Sequence, residues 1–244
     1  MRPIFLWFQS ISIMKIFYRI SDSGYKKDKP LYINNQNCLN NFCKHFDISD
    51  IYIIADNVSD KTYKMICENI DKSQIEKVSM GNGAKTFNLA LDKAIALKDE
   101  EYIYFVENDY LHKPNSKNIL IEGLSLGAPY VTLYDHPDKY MDPTIGGNPF
   151  CKGGAENTRV YLSKSAHWKI TNSTTMTFAT TAKTLKQDEA ILRKWTADAH
   201  PNDFQMFLDL AKNNNRFLIS SIPGYCTHGE TRWLSPLDNW ENYV

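Results

Sequence analysis

The chain has 244 residues, 43% of them hydrophobic and 13% aromatic, which is enough for one large domain or two small ones with a substantial core. Its 28 Lys and Arg residues balance 28 Asp and Glu residues, so the formal net charge is zero, which argues against broad electrostatic binding to nucleic acid. The five cysteines include no C-x-x-C pair, so reduced thiols in a cytoplasm-like compartment are expected rather than a disulfide framework or a structural zinc site.

The first thirteen residues contain an apolar patch, residues 4–8, which is too short to cross a bilayer. A strand-like segment begins at Met14, so we expect the domain to begin there, with residues 1–13 as an N-terminal extension or peripheral arm. An ordinary edge strand is the alternative for this patch. No later segment has the pattern of a membrane span, so we expect a soluble, cytoplasmic protein without an integral membrane segment.

From residue 14 to residue 135 the pattern alternates between strands and helices. Strands are predicted over residues 14–20, 51–55, 77–80, 102–106 and 130–134. Helices are predicted over residues 31–46, 60–70, 84–97 and 116–124. This alternation predicts an α/β fold with a mainly parallel central sheet and helices on both faces. Ligands then bind beyond the carboxyl ends of the strands.

Carboxylates follow several of these strands at the point where each should leave the sheet. The apolar run 102–106 continues directly into Glu107, Asn108 and Asp109. Charges are rarely placed at the end of a buried strand unless something binds them, and hard oxygen ligands favour a divalent cation. Each of the other strand-end carboxylates could alone be a turn residue: Asp22, Asp56 and Asp135.

The second half of the chain is less regular. A loop rich in Gly and Pro covers residues 136–156, and loops of this length are usually functional or mobile. Extended segments are predicted over 159–162, 173–177 and 217–219, and helices over 181–195 and 204–211. His167 and Trp168 could form an acceptor-binding wall, with core packing at least as favoured for Trp168. Trp233 and Trp240 could form a lid or an interface.

Over residues 14–230 the chain resembles nucleotide-sugar-dependent glycosyltransferases of the GT-A fold, and it is most similar to family-2-like enzymes. In that family the first strand, the second strand and the following turn surround the nucleotide, and an acidic motif, usually Asp-x-Asp, binds the metal and the diphosphate. The resemblance implies the following nucleotide contacts: Tyr18, Arg19, Asp22, Asp56, Asn82, Gly83 and Asn108.

The acidic motif is written here as Glu107-Asn108-Asp109, so its first acid departs from the common form. The resemblance implies that Asp109 is the better metal ligand and that Glu107 binds the metal-bound water or the sugar. It also matches His228 to the metal-binding histidine of the family, whereas on its own this residue reads as a hydrogen-bonded loop histidine. Mn²⁺ or Mg²⁺ is the expected cofactor, because carboxylate, imidazole and phosphate donors suit Mn²⁺ better than zinc.

The family places a catalytic acid at a helix start, often as Glu-Asp. Here Asn202 replaces the first acid and leaves Asp203 as the only carboxylate of the pair. A carboxylate at this place can take the proton from the acceptor hydroxyl, and attack from the opposite face would invert the anomeric centre. Local sequence alone favours an N-cap for Asp203, and the two roles can coexist.

The resemblance therefore implies a single GT-A-type domain over residues 14–244. Residues 14–135 would form the nucleotide-binding half, and residues 136–244 the less regular acceptor-binding half. The expected function is metal-dependent transfer of a sugar from a UDP- or GDP-sugar donor to a hydroxyl of a glycan acceptor. The altered acidic motif and the lone Asp203 suggest an alternative, a non-catalytic nucleotide or glycan-binding module that retains the fold. A dehydrogenase is less favoured, because no Gly-rich fingerprint follows the first strand.

Overall fold

The computed structural model describes residues 14–23 and 27–244, so the predicted arm over residues 1–13 lies outside the described residues. The strands are β1 Met14–Ser21, β2 Ile51–Asp56, β3 Ile75–Val78, β4 Tyr102–Glu107, β5 Tyr110–His112, β6 Tyr130–Thr132, β7 Val160–Leu162, β8 His167–Thr171, β9 Phe178–Thr181, β10 Leu218–Ile222 and β11 Cys226–His228. The α-helices are α1 Asn35–His45, α2 Asp60–Cys67, α3 Gly83–Ile95, α4 Ser116–Ser125, α5 Ala182–Lys194 and α6 Asp203–Asn214. Within these described ranges, no helix is both long and apolar enough to cross a membrane.

In the described part of the chain, nine strands form one sheet in the order β3-β2-β1-β4-β9-β6-β10-β8-β7. The four strands at its first edge, β3, β2, β1 and β4, are all parallel, and β10 is parallel to β6. Strand β9 is antiparallel to β4 and β6, and β8 is antiparallel to β10 and β7. The predicted α/β class with a mainly parallel central sheet is confirmed.

The register of the parallel strands brings their carboxyl ends together. Ser21 pairs with Asp56 between β1 and β2, and Arg19 pairs with Glu107 between β1 and β4. Each pair is adjacent across the ladder, so side chains that follow these strands emerge at one edge of the sheet. The carboxylates predicted at strand ends are therefore gathered by strand register.

Helices cover both faces of the sheet, because successive residues of a strand point to opposite faces. On one face, Tyr18 packs in a core with Phe42 of α1. On the other face, the neighbouring Phe17 packs in a second core with Phe87 of α3 and Phe207 of α6. The helices on both faces that the alternating pattern predicts are confirmed.

Several predicted boundaries are wrong. Strand β3 begins and ends two residues before the predicted segment, and the extended segment predicted over 173–177 lies ahead of the actual strand β9. Strands β5 and β11 have three residues each, too few to show a period. Strand β8 was missed because it carries a buried lysine, Lys169, whose charge breaks the apolar pattern.

The long loop over residues 136–156 is tied to the sheet by buried charges. Lys139 is fully buried and its Nζ lies 2.9 Å from Glu156 Oε1. Lys169 on β8 lies 3.0 Å from the carboxylate of Asp135 and 3.4 Å from that of Glu156. Asp135 is therefore a partner of the loop anchor rather than a free carboxylate at a strand end. These ion pairs hold the loop in one position against the sheet.

Trp168 is a core residue. Its side chain is fully buried, and its indole Nε1 donates a hydrogen bond of 3.0 Å to Ser163 Oγ. Gly123 of α4 allows this packing, because a Cβ atom there would lie 2.6 Å from the Trp168 ring. The role of Trp168 in an acceptor wall is thereby excluded. Trp240 is buried as well, and its indole donates to the Ser235 carbonyl at 2.7 Å.

Candidate active site

A cleft of about 1040 Å³ opens where the parallel strands end. All but one of the site residues predicted from the sequence line it; the exception is Tyr18. The residues that line it are Arg19, Asp22, Asp56, Asn82, Gly83, Glu107, Asn108, Asp109, Asp203 and His228. A cavity of this size, with convergent polar groups at the carboxyl edge of a sheet, is where a ligand of an α/β protein is expected.

Two strands of the small second sheet bring Asp109 and His228 together. Strand β5 pairs antiparallel with β11, and His228 stands opposite Tyr110, the residue directly after Asp109. His228 Nε2 consequently lies 3.4 Å from Asp109 Oδ2. Glu107, Asp109 and His228 each offer one atom that could bind a metal, and these three atoms lie within 4.8 Å of one another.

Gly229 makes this close approach possible. A Cβ atom at this position would lie 2.3 Å from Ile33 Cγ2 and 2.7 Å from the carbonyl oxygen of Asp109. Real Cβ atoms do not come so close, so a side chain here would push the chain that carries His228 away from Asp109. Glycine at this place follows from the packing of β11 against the end of the acidic motif.

The three donors suit a divalent cation. Two carboxylates and an imidazole are ligands of Mn²⁺, and carboxylates also suit Mg²⁺. Asp109 is 4% exposed and His228 2% exposed. Within the described part of the chain, Asp109 Oδ1 and His228 Nδ1 are buried without a hydrogen-bond partner. Burial favours a raised pKa for Asp109, but the charges of His228, Lys27 and Lys29 outweigh it and hold the pKa well below its usual value.

Two lysines that the sequence analysis missed contact this group. Lys27 Nζ lies 3.1 Å from Asp109 Oδ2 and 3.1 Å from His228 Nε2. Lys29 Nζ lies 2.9 Å from the same Asp109 oxygen. The only signal in the sequence is the density of lysines between the first strand and the first helix, which by itself is typical of a solvated loop.

Arg19 is held by the protein rather than directed into open solvent. It is 5% exposed, and its Nη2 lies 3.1 Å from Glu107 Oε1. Its Nη1 donates to the Gly83 carbonyl at 3.0 Å and its Nη2 to the Met176 carbonyl at 3.3 Å. Arg19 therefore fixes the Glu107 carboxylate and the start of α3 at the floor of the cleft.

Tyr18 does not reach the cleft, and the nucleotide contact implied for it is corrected. Its side chain is fully buried, 5.1 Å from the ring of Phe42 between ring centres. Burial raises the pKa of the Tyr18 hydroxyl well above its ordinary value. Tyr18 and Arg19 are consecutive in β1, so they point to opposite faces, and the cleft-side face is that of Arg19.

The other predicted nucleotide contacts line the cleft while they hold its loops. Asp56 accepts hydrogen bonds from the backbone N–H groups of Met80 and Gly81 at 2.6 and 3.0 Å. Asn82 caps α3 by accepting from the Lys85 N–H at 2.8 Å.

Asp22 and Asn108 also bond to neighbouring loops. Asp22 accepts a hydrogen bond from the Ser59 N–H at 2.7 Å, and Asn108 donates one to Asn35 Oδ1 at 2.5 Å. These bonds preorganise the turns at the cleft rim.

Asp203 is the first residue of α6, and Asn202 before it is the N-cap. The Asn202 side chain accepts from the Gln205 N–H at 3.1 Å. The local-sequence alternative, in which Asp203 caps the helix, is therefore wrong. Burial raises the pKa of Asp203 to about 7, and the negative charge of Glu107 adds to the shift. A carboxylate with a pKa near neutrality is suited to proton transfer.

An aromatic wall stands on the same cleft. His136 and Trp233 both line it, and their ring centres are 5.2 Å apart. His200 also lines the cleft and lies just before α6. From the sequence, Trp233 was expected to form a lid or an interface. His200 was not predicted, since an isolated histidine carries no spacing signal.

No protein-family model and no curated protein sequence matches this chain. Among solved structures, 224 chains match. A crystal structure of GalNAc-T7 with UDP, GalNAc and Mn²⁺ has 10% sequence identity and a TM-score of 0.57, and the match covers 93% of this chain and 46% of that one. A crystal structure of S. aureus TarS 1–349 has 15% identity and a TM-score of 0.50, with 87% of this chain and 60% of that one covered.

This chain thus spans about half the length of the GalNAc-T7 chain and three fifths of the TarS chain. Both neighbours are GT-A-type glycosyltransferases. At such low identity the likeness concerns the fold, and it does not assign the chain to a family-2-like group. The chain has the mixed α/β fold of the GT-A-type glycosyltransferases.

Proposed function

We propose that this chain transfers a sugar from a nucleoside-diphosphate sugar, UDP- or GDP-linked, to a hydroxyl of a glycan or similar acceptor, with inversion, as family-2-like enzymes do. The observation that carries the proposal is the 3.4 Å approach of Asp109 and His228 at the carboxyl edge of a GT-A-type sheet, with Asp203 on the same cleft. The neighbour GalNAc-T7 binds UDP, GalNAc and Mn²⁺, which supports the same classes of ligand here.

Cleavage of the anomeric C–O bond leaves negative charge on the departing diphosphate. Asp109, His228 and Glu107 would hold a Mn²⁺ or Mg²⁺ ion, and a bound ion of this kind neutralises charge on phosphate oxygens. Arg19 keeps Glu107 in place through their 3.1 Å ion pair. We assign the nucleotide to residues 14–135, since the rims formed by Asp22, Asp56 and the start of α3 belong to that half.

The acceptor side is assigned to residues 136–244. His136, Trp233 and Asp203 all come from this half and line the same cleft. Asp203 would accept the proton of the acceptor hydroxyl as that oxygen attacks the anomeric carbon from the face opposite the diphosphate. Residues 14–244 then act as one domain, with the site between its two halves.

Incubation with sugar nucleotides tests the proposal directly. Purified protein is expected to bind UDP or GDP and to hydrolyse one UDP- or GDP-sugar slowly without an acceptor, because water can replace the acceptor hydroxyl. Hydrolysis is followed by chromatography of the released nucleotide, with Mn²⁺ and with EDTA. Asp109→Ala should abolish it, whereas Asp92→Ala, a control at an exposed carboxylate on α3, should not.

Two outcomes would contradict the proposal. Failure of the chain to bind any nucleoside diphosphate would remove nucleotide chemistry altogether. Tight binding of a sugar nucleotide without hydrolysis, and without transfer to any acceptor in a glycan panel, would instead favour the non-catalytic binding module.

The pH dependence follows from the raised pKa of Asp203, which burial and then Glu107 bring to about 7. A general base works only when it is deprotonated. We therefore expect kcat/KM to fall about tenfold per pH unit well below pH 7 and to level off above it. The profile is measured with saturating metal, and nucleotide affinity over the same range is the control. A profile that stays flat through pH 7 would remove Asp203 as the base.

A further inference from the structure

The cation position of this cleft already contains protein ammonium groups. Lys27 and Lys29 both contact Asp109 Oδ2, at 3.1 and 2.9 Å, and that carboxylate is only 6% exposed. Lys27 is itself 14% exposed. At such distances and in such partial burial, a unit charge interacts far more strongly with a carboxylate than it would in water. Asp109 Oδ2 is therefore already in contact with two ammonium groups.

Lys27 also takes the lone pair that a metal would need from His228. An ammonium group has three donors and no acceptor, so its 3.1 Å contact with His228 Nε2 requires this nitrogen to accept. A metal ion bound through Nε2 uses the same lone pair, so Lys27 and the ion cannot hold it at the same time.

Both carboxylates of the acidic motif are in contact with cationic side chains. Glu107 contacts Arg19, and Asp109 contacts Lys27 and Lys29. Among the described residues, Arg19, Lys27 and Lys29 thus place three cationic groups at these two carboxylates. An anion that enters beside Asp109 meets ammonium donors within reach, and charge-assisted bonds from lysine suit phosphate oxygens.

We propose that Lys27 and Lys29 are built-in counter-cations of the site. They hold Asp109 and His228 closed to a free divalent ion, and they bind the diphosphate of the donor when it enters. This inference rests on the proposed function, since it takes a nucleoside diphosphate as the ligand. The lysines leave Asp109 only when phosphate oxygens replace the carboxylate as their partner. Binding of the metal therefore depends on binding of the nucleotide.

Two titrations test this role without measuring turnover. Free Mn²⁺ is followed by electron paramagnetic resonance in the absence of nucleotide, and UDP binding is followed by calorimetry in EDTA. For Lys27→Met we expect Mn²⁺ to bind at least about tenfold more tightly, since a competing charge is gone. UDP in EDTA should bind about 10- to 100-fold more weakly, because a charge-assisted bond is lost. Lys29→Met should change both affinities in the same directions.

Lys98→Met is the matched control, since Lys98 is exposed and lies outside the cleft. Lys27→Gln repeats the test with a polar, uncharged side chain, and melting temperatures show that each variant is folded. The inference is overturned if both Lys27 variants bind Mn²⁺ and UDP no differently from the Lys98→Met control. If neither the unchanged chain nor any variant binds UDP in the presence of Mn²⁺, the proposed function is wrong. The titration with Mn²⁺ alone then still tests whether Lys27 competes with the metal.

Discussion

Replacing Asp203 with Asn is expected to lower the rate of sugar transfer by about 10²–10⁴-fold while nucleotide affinity stays close to that of the unchanged chain. The amide has nearly the shape of the carboxylate but cannot take the acceptor proton. The cap of α6 survives, because it is made by the Asn202 side chain, 3.1 Å from the Gln205 N–H. The loss should therefore be one of chemistry rather than of local folding.

Steady-state kinetics with the donor and acceptor found for the unchanged chain provide the measurement. The effect should appear in kcat, since the proton is transferred only as the bond forms. Asp92→Asn makes the same chemical change at an exposed carboxylate and should be silent. Retention of full transfer by Asp203→Asn would rule out this residue as the base.

Stability gives a second signature of the same residue. Burial raises the pKa of Asp203 to about 7, so the folded chain binds this proton more tightly than the unfolded chain does. Ionisation then lowers the free energy of unfolding as the pH rises between about 4 and 7. The Asn variant escapes this loss, so its melting temperature at pH 8 should equal or exceed that of the unchanged chain. A gain in stability on replacement is expected for a carboxylate that is kept in an unfavourable environment for its function.

The sequence predicts the edge of the sheet where the site forms better than it predicts which side chains face it. Apolar runs locate β1, β2 and β4, and parallel pairing places Asp56 and Glu107 along one edge of the sheet. Tyr18 and Arg19 both fall at the end of β1, but the pleat sends them to opposite faces. Which of the two faces the cleft depends on which helices cover each side, and this is fixed only by tertiary packing.

The positions of the two site lysines could not be predicted from local sequence. Lys27 and Lys29 lie in an irregular segment with no period, and their partners Asp109 and His228 are about eighty and two hundred residues away. Strands β5 and β11 that join Asp109 to His228 are three residues long, so their pairing is set by contacts and not by a sequence pattern. The family resemblance predicted His228 correctly as a neighbour of Asp109, but nothing in it predicted the lysines.

The 136–156 loop is anchored by two buried charged groups, and burial of either one without the other would be unfavourable. Lys169 is 3% exposed and Asp135 1% exposed, and they lie 3.0 Å apart. Lys169 Nζ also donates to the Tyr140 hydroxyl at 3.1 Å, and that hydroxyl donates to Asp135 at 2.8 Å. Burial alone would lower the pKa of Lys169, but the charge of Asp135 and the hydrogen bond to Tyr140 together outweigh burial and raise this pKa. Each charge is therefore tolerated because of the other.

Lys169→Met is expected to lower the free energy of unfolding by about 3–5 kcal/mol, because it leaves the Asp135 carboxylate buried without its counter-charge. Thermal and urea unfolding measure the loss, and Lys164→Met, an exposed lysine in the turn before β8, is the matched control. Adding Asp135→Asn to Lys169→Met should restore part of the stability, since no uncompensated charge then remains at that position. Unfolding of Lys169→Met at the same urea concentration as Lys164→Met would show that the charge of Lys169 does not stabilise the fold. A restored double variant would show that the loop which carries His136 is held by compensation of charge and not by the volume of the lysine stem.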